Sequence, residues 1–322
     1  DLLNDEDFWT YEGDMATRAS SEKVLNKLSK VIPNLFGGSA DLGPSNKSVM
    51  KDREYYSPEN PSGSNIHFGI REFAMTAMAN AISLHGGLRP YIAGFFVFSD
   101  YMKAGMRLSA LMEQPVISIL THDSIGVGED GPTHQPIEHL AALRSMPGYT
   151  VIRPCDTHET AAAWYLALTR KQPTGIVLSR QTLPLLKETG KDALKGAYIL
   201  QNCDGKPDII LMATGSEVEL IYKAYDILTE KGIKVRTVSM PSFEVFEEQS
   251  NEYKESVLPN SVRARVAVEA ASDFGWYKYV GLDGKVICMH GFGESAPAGE
   301  LFKKFGFTVD NVVNTAIEVL NK

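Results

Sequence analysis

The densest group of chemically capable side chains lies in residues 121–136, a segment with two histidines, three acids and three glycines. It follows the apolar run 116–120, which predicts a buried strand. The glycines and a proline disfavour a helix here. Ligands of a parallel α/β sheet bind at the carboxyl ends of its strands. The segment therefore places titratable groups where chemistry is usually done.

His122 and His134 suit general acid–base work, because histidine titrates near neutrality and can carry a proton or bind a phosphate. Asp130 can accept a hydrogen bond from a substrate hydroxyl. The alternative is a polar loop that caps the sheet, with its histidines bonded to backbone. Two histidines and an aspartate in one glycine-rich loop favour function. A metal site ranks last, because the spacing matches no zinc pattern and no cysteine is near.

Glu72 stands near the start of residues 71–85, whose pattern predicts a helix. Beyond Glu72 this helix is apolar or small almost all round, which predicts burial. A buried carboxylate needs a partner, or its pKa rises. A salt bridge to Arg71, stabilisation by the helix amino terminus and a proton-holding role are equally consistent with the pattern.

Three aromatic residues, Phe95, Phe98 and Tyr101, recur at every third position after the predicted strand 90–94. This spacing places them along one side of a turn or an early helix. Most such stripes belong to a hydrophobic core. Because this one follows a strand end, stacking on a flat ligand ring is the alternative interpretation.

Size and charge narrow the class of protein. The 322 residues suffice for two α/β domains with their own cores. A net charge of −8 argues against nucleic acid or an anionic membrane as partner, although locally gathered Arg and His could still bind an anionic substrate. Three widely spaced cysteines favour a reducing, cytoplasmic location over a disulfide framework. No apolar run reaches membrane-spanning length, and no signal peptide is evident.

Strand and helix patterns alternate, which predicts an α/β fold with a parallel sheet and a second α/β unit behind it. The predicted strands are 35–36, 66–68, 90–94, 116–120, 150–153, 175–179, 209–213, 234–239, 265–269 and 285–289. The main predicted helices are 14–30, 71–85, 98–113, 157–170 and 309–321. Helix caps are predicted at Asp14, at Asp156 with Glu159, and at Ser216 with Glu219.

Together, seven segments make the chain resemble transketolase over essentially its whole length. They are residues 37–46, 69–73, 121–136, 153–156, 178–181, 213–219 and 292–298. The resemblance implies a parallel-sheet pyrimidine-binding domain of the thiamine-diphosphate type over 14–184. A smaller mixed-sheet α/β C-terminal domain would cover 198–322. Residues 1–13 would be a linker remnant and 185–197 a connector.

The resemblance also implies roles around a cofactor. The family uses thiamine diphosphate to transfer a two-carbon ketol unit between sugar phosphates in the pentose phosphate pathway. Glu72 would bond the aminopyrimidine ring nitrogen and favour its imino tautomer, and Asp41 would lie near the cofactor. The pocket for the pyrimidine ring would consist of Phe95, Phe98 and Tyr101.

On the substrate side, the resemblance makes His122 and His134 catalytic together with Glu72. The two histidines would contact the reacting hydroxyls and the carbonyl oxygen, and Asp130 would distinguish the stereochemistry of a substrate hydroxyl. Arginine forks suit a phosphate group. The implied substrate-binding set is Arg18, Ser45, His122, Asp130, His134 and Arg180.

The family's first domain has no counterpart in this sequence. That domain carries a Gly-Asp-Gly…Asn signature for Mg²⁺ and the diphosphate, and no Gly-Asp-Gly occurs here. No residue of this chain is therefore expected to ligate a metal. Because the family's active site lies between that domain of one subunit and the pyrimidine domain of another, we expect a homodimer and no activity from the chain alone. A cleaved fragment and a subunit of a split enzyme both fit, and the linker-like start without Met favours the fragment.

The sequence is also compatible with other functions. Another ketol transferase, such as dihydroxyacetone synthase, is separated only weakly. A 1-deoxyxylulose-phosphate synthase and a keto-acid dehydrogenase β subunit rank low, because neither predicts the segment 121–136. A non-catalytic ligand-sensing or assembly module is the alternative of a different class. Against it stands the joint presence of Glu72, His122, Asp130, His134 and Arg180.

Overall fold

A computed structural model describes residues 1–321 of the chain. The helices α1 to α13 are Glu6–Trp9, Thr17–Val31, Gly43–Asn46, Glu72–His85, Ser99–Leu111, His139–Arg144, Thr157–Thr169, Val218–Glu230, Phe243–Glu247, Asn251–Val257, Tyr277–Val280, Ala298–Lys304 and Val309–Leu320. The strands β1 to β11 are Leu35–Ser39, Asn65–His67, Arg89–Phe95, Ile117–Thr121, Thr150–Ile152, Thr174–Leu178, Tyr198–Gln201, Ile209–Ala213, Val235–Ser239, Arg265–Val268 and Lys285–Ile287. Among the described helices, none is long and apolar enough to span a membrane.

The first sheet has six parallel strands in the order β2-β1-β3-β4-β6-β5. Alternate strand residues enter two separate cores, one on each face. Tyr91 and Ile119 pack on one side with α2 and α7, and Ile92 and Leu120 pack on the other side with α4 and α5. A parallel sheet covered on both faces is the α/β architecture that the alternating sequence pattern predicts, and that prediction is confirmed.

The second sheet has five strands in the order β11-β10-β8-β9-β7, and β7 alone runs antiparallel to its neighbour β9. The mixed-sheet second domain is therefore confirmed. Strand β7 is absent from the predicted strands; it has four residues at the sheet edge with alternating burial. A strand this short carries too few positions for its period to be recognised.

Two of the three predicted helix caps are wrong. Helix α2 begins at Thr17, and the Asp14 carboxylate instead accepts a hydrogen bond from the Leu185 backbone, 3.0 Å away. Ser216 lies in a 3₁₀ turn before α8 and donates to the Glu217 carboxylate. The Ser216 hydroxyl also accepts from Arg153 Nη2 at 3.3 Å, so in both cases a distant segment of the chain engages the predicted cap residue. Asp156 does cap α7, accepting from the Glu159 backbone at 2.9 Å.

Helix α4 is not buried all round, contrary to the expectation from its composition. Met75 and Ala79 face the core, whereas Phe73, Met78 and Leu84 are each about half exposed. Within residues 1–321, α5 and β3 cover one side of this helix. The remaining apolar face has no described element over it and forms an exposed apolar surface.

The segments outside the two sheets are packed against the domains. Residues 1–13 contain α1, and its Phe8 is buried in the core beneath the first sheet. The connector between the sheets contains a 3₁₀ turn, Lys191–Lys195, with Leu186 and Ala193 buried against the second domain's core. The same core includes Ile125, Ile137 and Ala162 of the first domain, so the two domains share a packed interface.

Candidate active site

The strand register brings three parts of the sequence to one edge of the first sheet. Phe95 at the end of β3 pairs with Thr121 at the end of β4, and Thr121 pairs with Leu178 at the end of β6. The residues that follow these positions include the aromatic run, the segment 121–136 and Arg180. The carboxyl edge thus gathers groups that lie more than fifty residues apart in sequence, as the parallel sheet predicts.

His122 is the centre of this edge. Its side chain is 3% exposed, and its backbone is left-handed with φ of 66°, which is uncommon for a residue other than glycine. The imidazole stacks on Phe95 with ring centroids 3.7 Å apart. Its Nε2 lies 3.4 Å from Arg18 Nη1, and its Nδ1 lies 2.8 Å from Thr121 Oγ1. Each side of the ring therefore has a partner.

A chain of hydrogen bonds selects the tautomer of His122. An arginine can only donate, so Arg18 requires a lone pair on Nε2 and leaves the proton on Nδ1. That proton is donated to Thr121 Oγ1, whose hydroxyl donates to Asn46 Oδ1 at 2.8 Å. Asn46 Nδ2 donates in turn to Ser39 Oγ at 2.8 Å. Asn46 ends the motif 37–46, but it is not among the predicted site residues.

The electrostatics overturn one expectation about His122. Burial lowers its pKa to about 3, and the charges of Arg18 and Arg180 and a contribution from His134 act in the same direction. His122 is therefore neutral at physiological pH and does not titrate near neutrality. Burial and the charge of Arg180 also lower the pKa of Arg18. Groups that repel a further proton in this way form a favourable site for an anion.

The aromatic residues predicted to act together are in contact. The rings of Phe95 and Phe98 are parallel to within 5° at 5.8 Å, and Tyr101 lies 6.1 Å from Phe98. His134 approaches Phe98 edge-on at 5.6 Å and Phe95 at 6.3 Å, and Thr133 Oγ1 lies 2.8 Å from its Nδ1. Phe95 therefore links both histidines of the segment 121–136, and Tyr101 leaves most of its ring exposed.

Ser45 enters this site through its backbone. Arg18 Nη1 donates to the Ser45 carbonyl at 2.9 Å, which connects α3 to the guanidinium beside His122. Asp41 lies before α3 with a left-handed φ of 63° and an exposed side chain. It borders a cavity of about 320 Å³, where His67 stacks on Tyr55 at 3.9 Å. His67 was missed because it was read only as part of a strand.

Two family models match the chain that contains this site. The family model described as transketolase, pyrimidine binding domain matches residues 13–185. The chain belongs to the transketolase family. The model described as transketolase-like TK C-terminal domain matches residues 196–308, so the two sheets fall into the two matched regions.

Similarity to individual transketolases supports this family assignment. The chain is 53% identical over 311 residues to a transketolase of Halalkalibacterium halodurans, covering 95% of this chain and 47% of that protein. A Pichia stipitis transketolase solved in complex with sedoheptulose 7-phosphate superposes with a TM-score of 0.92 at 42% identity, covering 96% of this chain and 46% of that one. The chain thus spans about half the length of these transketolases.

A third structure shares the fold. The protein titled a split gene transketolase, inactive β4 tetramer, superposes with a TM-score of 0.77 at 23% identity, covering 96% of this chain and 99% of that one. At this identity the likeness concerns the fold alone. It shows that the two-domain architecture described here also occurs as a polypeptide of about this extent.

In the described part of the chain, Glu72 and Asp130 take no part in the hydrogen bonds and ring contacts that join Arg18, Ser45, Phe95, Phe98, Tyr101, His122 and His134. Glu72 is the first residue of α4 and is partly exposed, and Asp130 is exposed in the loop after Gly128. Arg71 donates to the Phe68 carbonyl at 3.3 Å. Within residues 1–321, no ion pair joins Arg71 to Glu72, so the salt-bridge interpretation is wrong.

Side chains of metal-ligand type come together at one other place in the described chain. Asp100, Glu138 and His139 have potential ligand atoms within 4.8 Å of one another. His139 Nε2 lies 3.2 Å from the Asp100 carboxylate, and Lys103 lies 3.6 Å from the same carboxylate. Because His139 and Lys103 already face the Asp100 carboxylate, these side chains contact one another and we assign no metal to the group.

Proposed function

We propose that this chain is part of a transketolase that transfers a two-carbon ketol unit between ketose and aldose phosphates with thiamine diphosphate. The proposal rests on one observation above all. A buried neutral imidazole, His122, stacks on Phe95 and meets the guanidinium of Arg18 at the carboxyl edge of the first sheet. One site therefore combines aromatic surface, neutral hydrogen-bonding groups and positive charge.

The chemistry of the available side chains suits an aminopyrimidine. Phe98 and Tyr101 offer exposed aromatic surface beside Phe95, and ring stacking is the interaction that a flat heterocycle requires. The partly exposed carboxyl group of Glu72 would bond the ring nitrogen. Asp41 would lie near the cofactor. When bound, thiamine diphosphate supplies the electron sink for the two-carbon unit.

The positive groups suit a sugar phosphate. Arg18 and Arg180 would bind the substrate phosphate, and the Ser45 backbone orients Arg18. His122, held as the Nδ1-protonated tautomer, would contact the substrate oxygens. His134 would act beside it at the reacting hydroxyl, and Asp130 would recognise a hydroxyl further along the sugar. The Pichia stipitis transketolase titled as a sedoheptulose 7-phosphate complex supports this substrate class.

Partner chains complete the proposal. We place Mg²⁺ and the diphosphate in a separate diphosphate-binding domain or subunit, so the chain alone would be inactive. A homodimer is supported by the exposed apolar face of α4, which carries Phe73, Met78 and Leu84. A cytoplasmic location is supported by three cysteines that are all free.

A split enzyme is the second candidate arrangement. The fold-level neighbour titled a split gene transketolase matches this chain over nearly the whole of its own length. In that arrangement the diphosphate-binding half would be a separate subunit. The reaction and the residue roles would be the same. Dihydroxyacetone synthase differs only in its acceptor, so formaldehyde is the substrate that separates it.

The deciding experiment measures ketol transfer from xylulose 5-phosphate to ribose 5-phosphate with thiamine diphosphate and Mg²⁺. It is run on the chain alone and on the chain mixed with a diphosphate-binding half. Activity only in the mixture would support the proposal, and activity of the chain alone would contradict the expected dependence on a partner. If the two halves associate but remain inactive, the non-catalytic module becomes the better interpretation.

A further inference from the structure

A buried arginine joins residues 121–136, called here the site loop, to the second domain. Arg153 follows β5, and its Nε donates to the Asp123 carboxylate at 2.9 Å. On its other side, Nη1 forms an ion pair with Glu217, which belongs to the turn before α8. Asp123 directly follows His122 in the chain. The guanidinium therefore lies between the loop that carries His122 and the second sheet.

The second domain is shaped to receive this arginine. Nη1 of Arg153 donates to the Thr214 carbonyl at 3.2 Å and to its hydroxyl at 3.0 Å. Gly215 has a left-handed φ of 52°, and a Cβ at this position would lie 2.6 Å from Arg153 Nε. Only glycine combines this backbone with enough space, because any side chain would collide with the guanidinium. Arg153 and Glu217 are both fully buried.

The buried charges at this domain interface are paired with charges of opposite sign. Burial opposes the charge of Arg153, but Glu217 and Asp123 raise its pKa above the ordinary value. Burial raises the pKa of Glu217 despite the neighbouring Arg153. Beyond Glu217, the Thr214 hydroxyl donates to Glu269 at 2.5 Å, and Arg144 of the first domain forms a two-pronged ion pair with Glu269 at 2.8 Å. The interface thus buries an alternating series of charges, which fixes the relative position of its members.

The far end of the loop also contacts the second domain. Gln135 Nε2 donates to the Gly128 carbonyl at 2.8 Å within the loop and to the Glu294 carbonyl at 2.9 Å in the second domain. Ser295 Oγ donates to the Glu129 carbonyl at 2.5 Å. The loop that carries His122, Asp130 and His134 is therefore held at both ends by residues before α8 and before α12.

We infer that the second domain positions the site loop, with Glu217 acting through Arg153 and Asp123 as a positioning residue for His122. The catalytic role of this positioning rests on the proposed function. The contacts between the second domain and the loop do not depend on that function. His122 has a left-handed backbone that needs support from its surroundings, and Asp123 is the neighbouring residue through which Arg153 supplies that support. Ser295 supplies the corresponding support at Glu129.

The first test is hydrogen exchange of the backbone amides in residues 121–136, measured on the chain as it is. Glu217→Gln removes the charge and keeps the shape, and we expect exchange at 122–127 to rise about tenfold or more. The matched control is Glu248→Gln, because Glu248 forms an ion pair with Arg170 of the first domain at 2.6 Å and does not contact the loop. Equal exchange in the two variants would overturn the inference.

A second variant covers the case in which Glu217→Gln fails to fold. Ser295→Ala removes one exposed hydroxyl, and we expect faster exchange at residues 129–131 with an unchanged melting temperature. Exchange at these amides equal to that of the unaltered chain would overturn the inference. Since neither readout uses turnover, a loosened loop in a chain that never supports ketol transfer would reject the proposed function and leave the positioning role intact.

Kinetics separate positioning from simple stabilisation. In the mixture with a diphosphate-binding half, we expect Glu217→Gln to lower kcat about tenfold while KM for the sugar phosphate changes little. Glu248→Gln should leave both unchanged. A Glu217→Gln enzyme with the kcat of the unaltered chain would overturn the catalytic part of the inference.

Discussion

The imidazole of His122 lies against the ring of Phe95, with centroids 3.7 Å apart and 28° between the ring planes. This contact joins the end of β3 to the residue after β4, and it seals one face of the imidazole from water. Desolvation is the largest cause of the lowered pKa of His122. The stacking therefore helps to keep the imidazole neutral, as a hydrogen-bonding group beside two arginines must be.

Replacing Phe95 tests this relationship. Phe95→Leu should destabilise the chain by about 1–2 kcal/mol, because a buried ring is replaced by a smaller side chain. It should also raise the pKa of His122, because water gains access to the imidazole. Titration of the ring protons by NMR measures this pKa. Phe98→Leu is the control, since Phe98 contacts His134 and should leave the pKa of His122 where it is.

The pH dependence of stability should carry the signature of His122. Its pKa is about 3 in the folded chain against an ordinary value of 6.5. Between these values the unfolded chain binds a proton that the folded chain does not, so stability falls as the pH is lowered from about 6.5. From pH 7 to pH 5 we expect this group to remove about 1–2 kcal/mol of unfolding free energy.

Urea unfolding of His122→Gln checks this sign. The variant should lose less stability between pH 7 and pH 5 than the unaltered chain. His85→Gln, at an exposed histidine that ends α4, should lose as much as the unaltered chain. An equal loss in His122→Gln would show that the imidazole does not resist protonation.

Arg180 should determine phosphate affinity. Arg180→Gln removes a charge that lowers the pKa of both His122 and Arg18. In the mixture with a diphosphate-binding half, we expect the KM for xylulose 5-phosphate to rise about tenfold, since a charged hydrogen bond to phosphate is lost. Arg180→Lys should lose less, because the point charge remains. Unchanged KM values in both variants would remove Arg180 from the substrate site.

The buried carboxyl group of Glu159, at the domain junction, should give stability a pH dependence opposite in sign to that of His122. Burial, with the charge of Asp156, raises the pKa of Glu159 above its ordinary value of 4.5, although Ser239 and Tyr198 of the second domain donate to it. The folded chain then holds a proton that the unfolded chain has lost. Its contribution to stability is present below the ordinary pKa and declines as the pH rises above it.

Melting temperatures at pH 5 and pH 8 test this effect. Glu159→Gln mimics the protonated carboxyl group, so the variant should lose less stability at pH 8 than the unaltered chain. Glu230→Gln, which ends α8 at the surface, is the control. If the melting temperature falls more between pH 5 and pH 8 in Glu159→Gln than in Glu230→Gln, the charged form of Glu159 stabilises the fold and the prediction is wrong.

The apolar face of α4 should drive self-association. Phe73 is 55% exposed on that face, and Phe73→Glu should shift the chain towards the monomer in analytical ultracentrifugation. Leu282→Glu is the matched control, because Leu282 is 95% exposed on the second domain. If both variants sediment like the unaltered chain, this face of α4 is not a self-association surface.

Much of this architecture could be predicted from local patterns. The alternation of strands and helices predicts the parallel sheet, and a parallel sheet places Phe95, His122 and Arg180 at the same edge. That β3, β4 and β6 are neighbours is decided by the strand order of the structure. Asp156 could be recognised as a cap because its partner is three residues away. The same spacing at Ser216 predicts a cap that the structure lacks, because the Ser216 hydroxyl donates to Glu217 and accepts from Arg153.

By itself, the sequence determined which residue types follow which strands, and so which side chains share the sheet edge. Only the tertiary structure decided their states. His122 is neutral because Phe95 and two arginines surround it, and Arg153 bridges Asp123 and Glu217 across 30 and 64 residues. The hydrophobic periodicity of a segment indicates only which face of that one helix or strand is buried. Protonation, ion pairing across domains and the exposed face of α4 depend on groups that distant segments bring within a few ångströms.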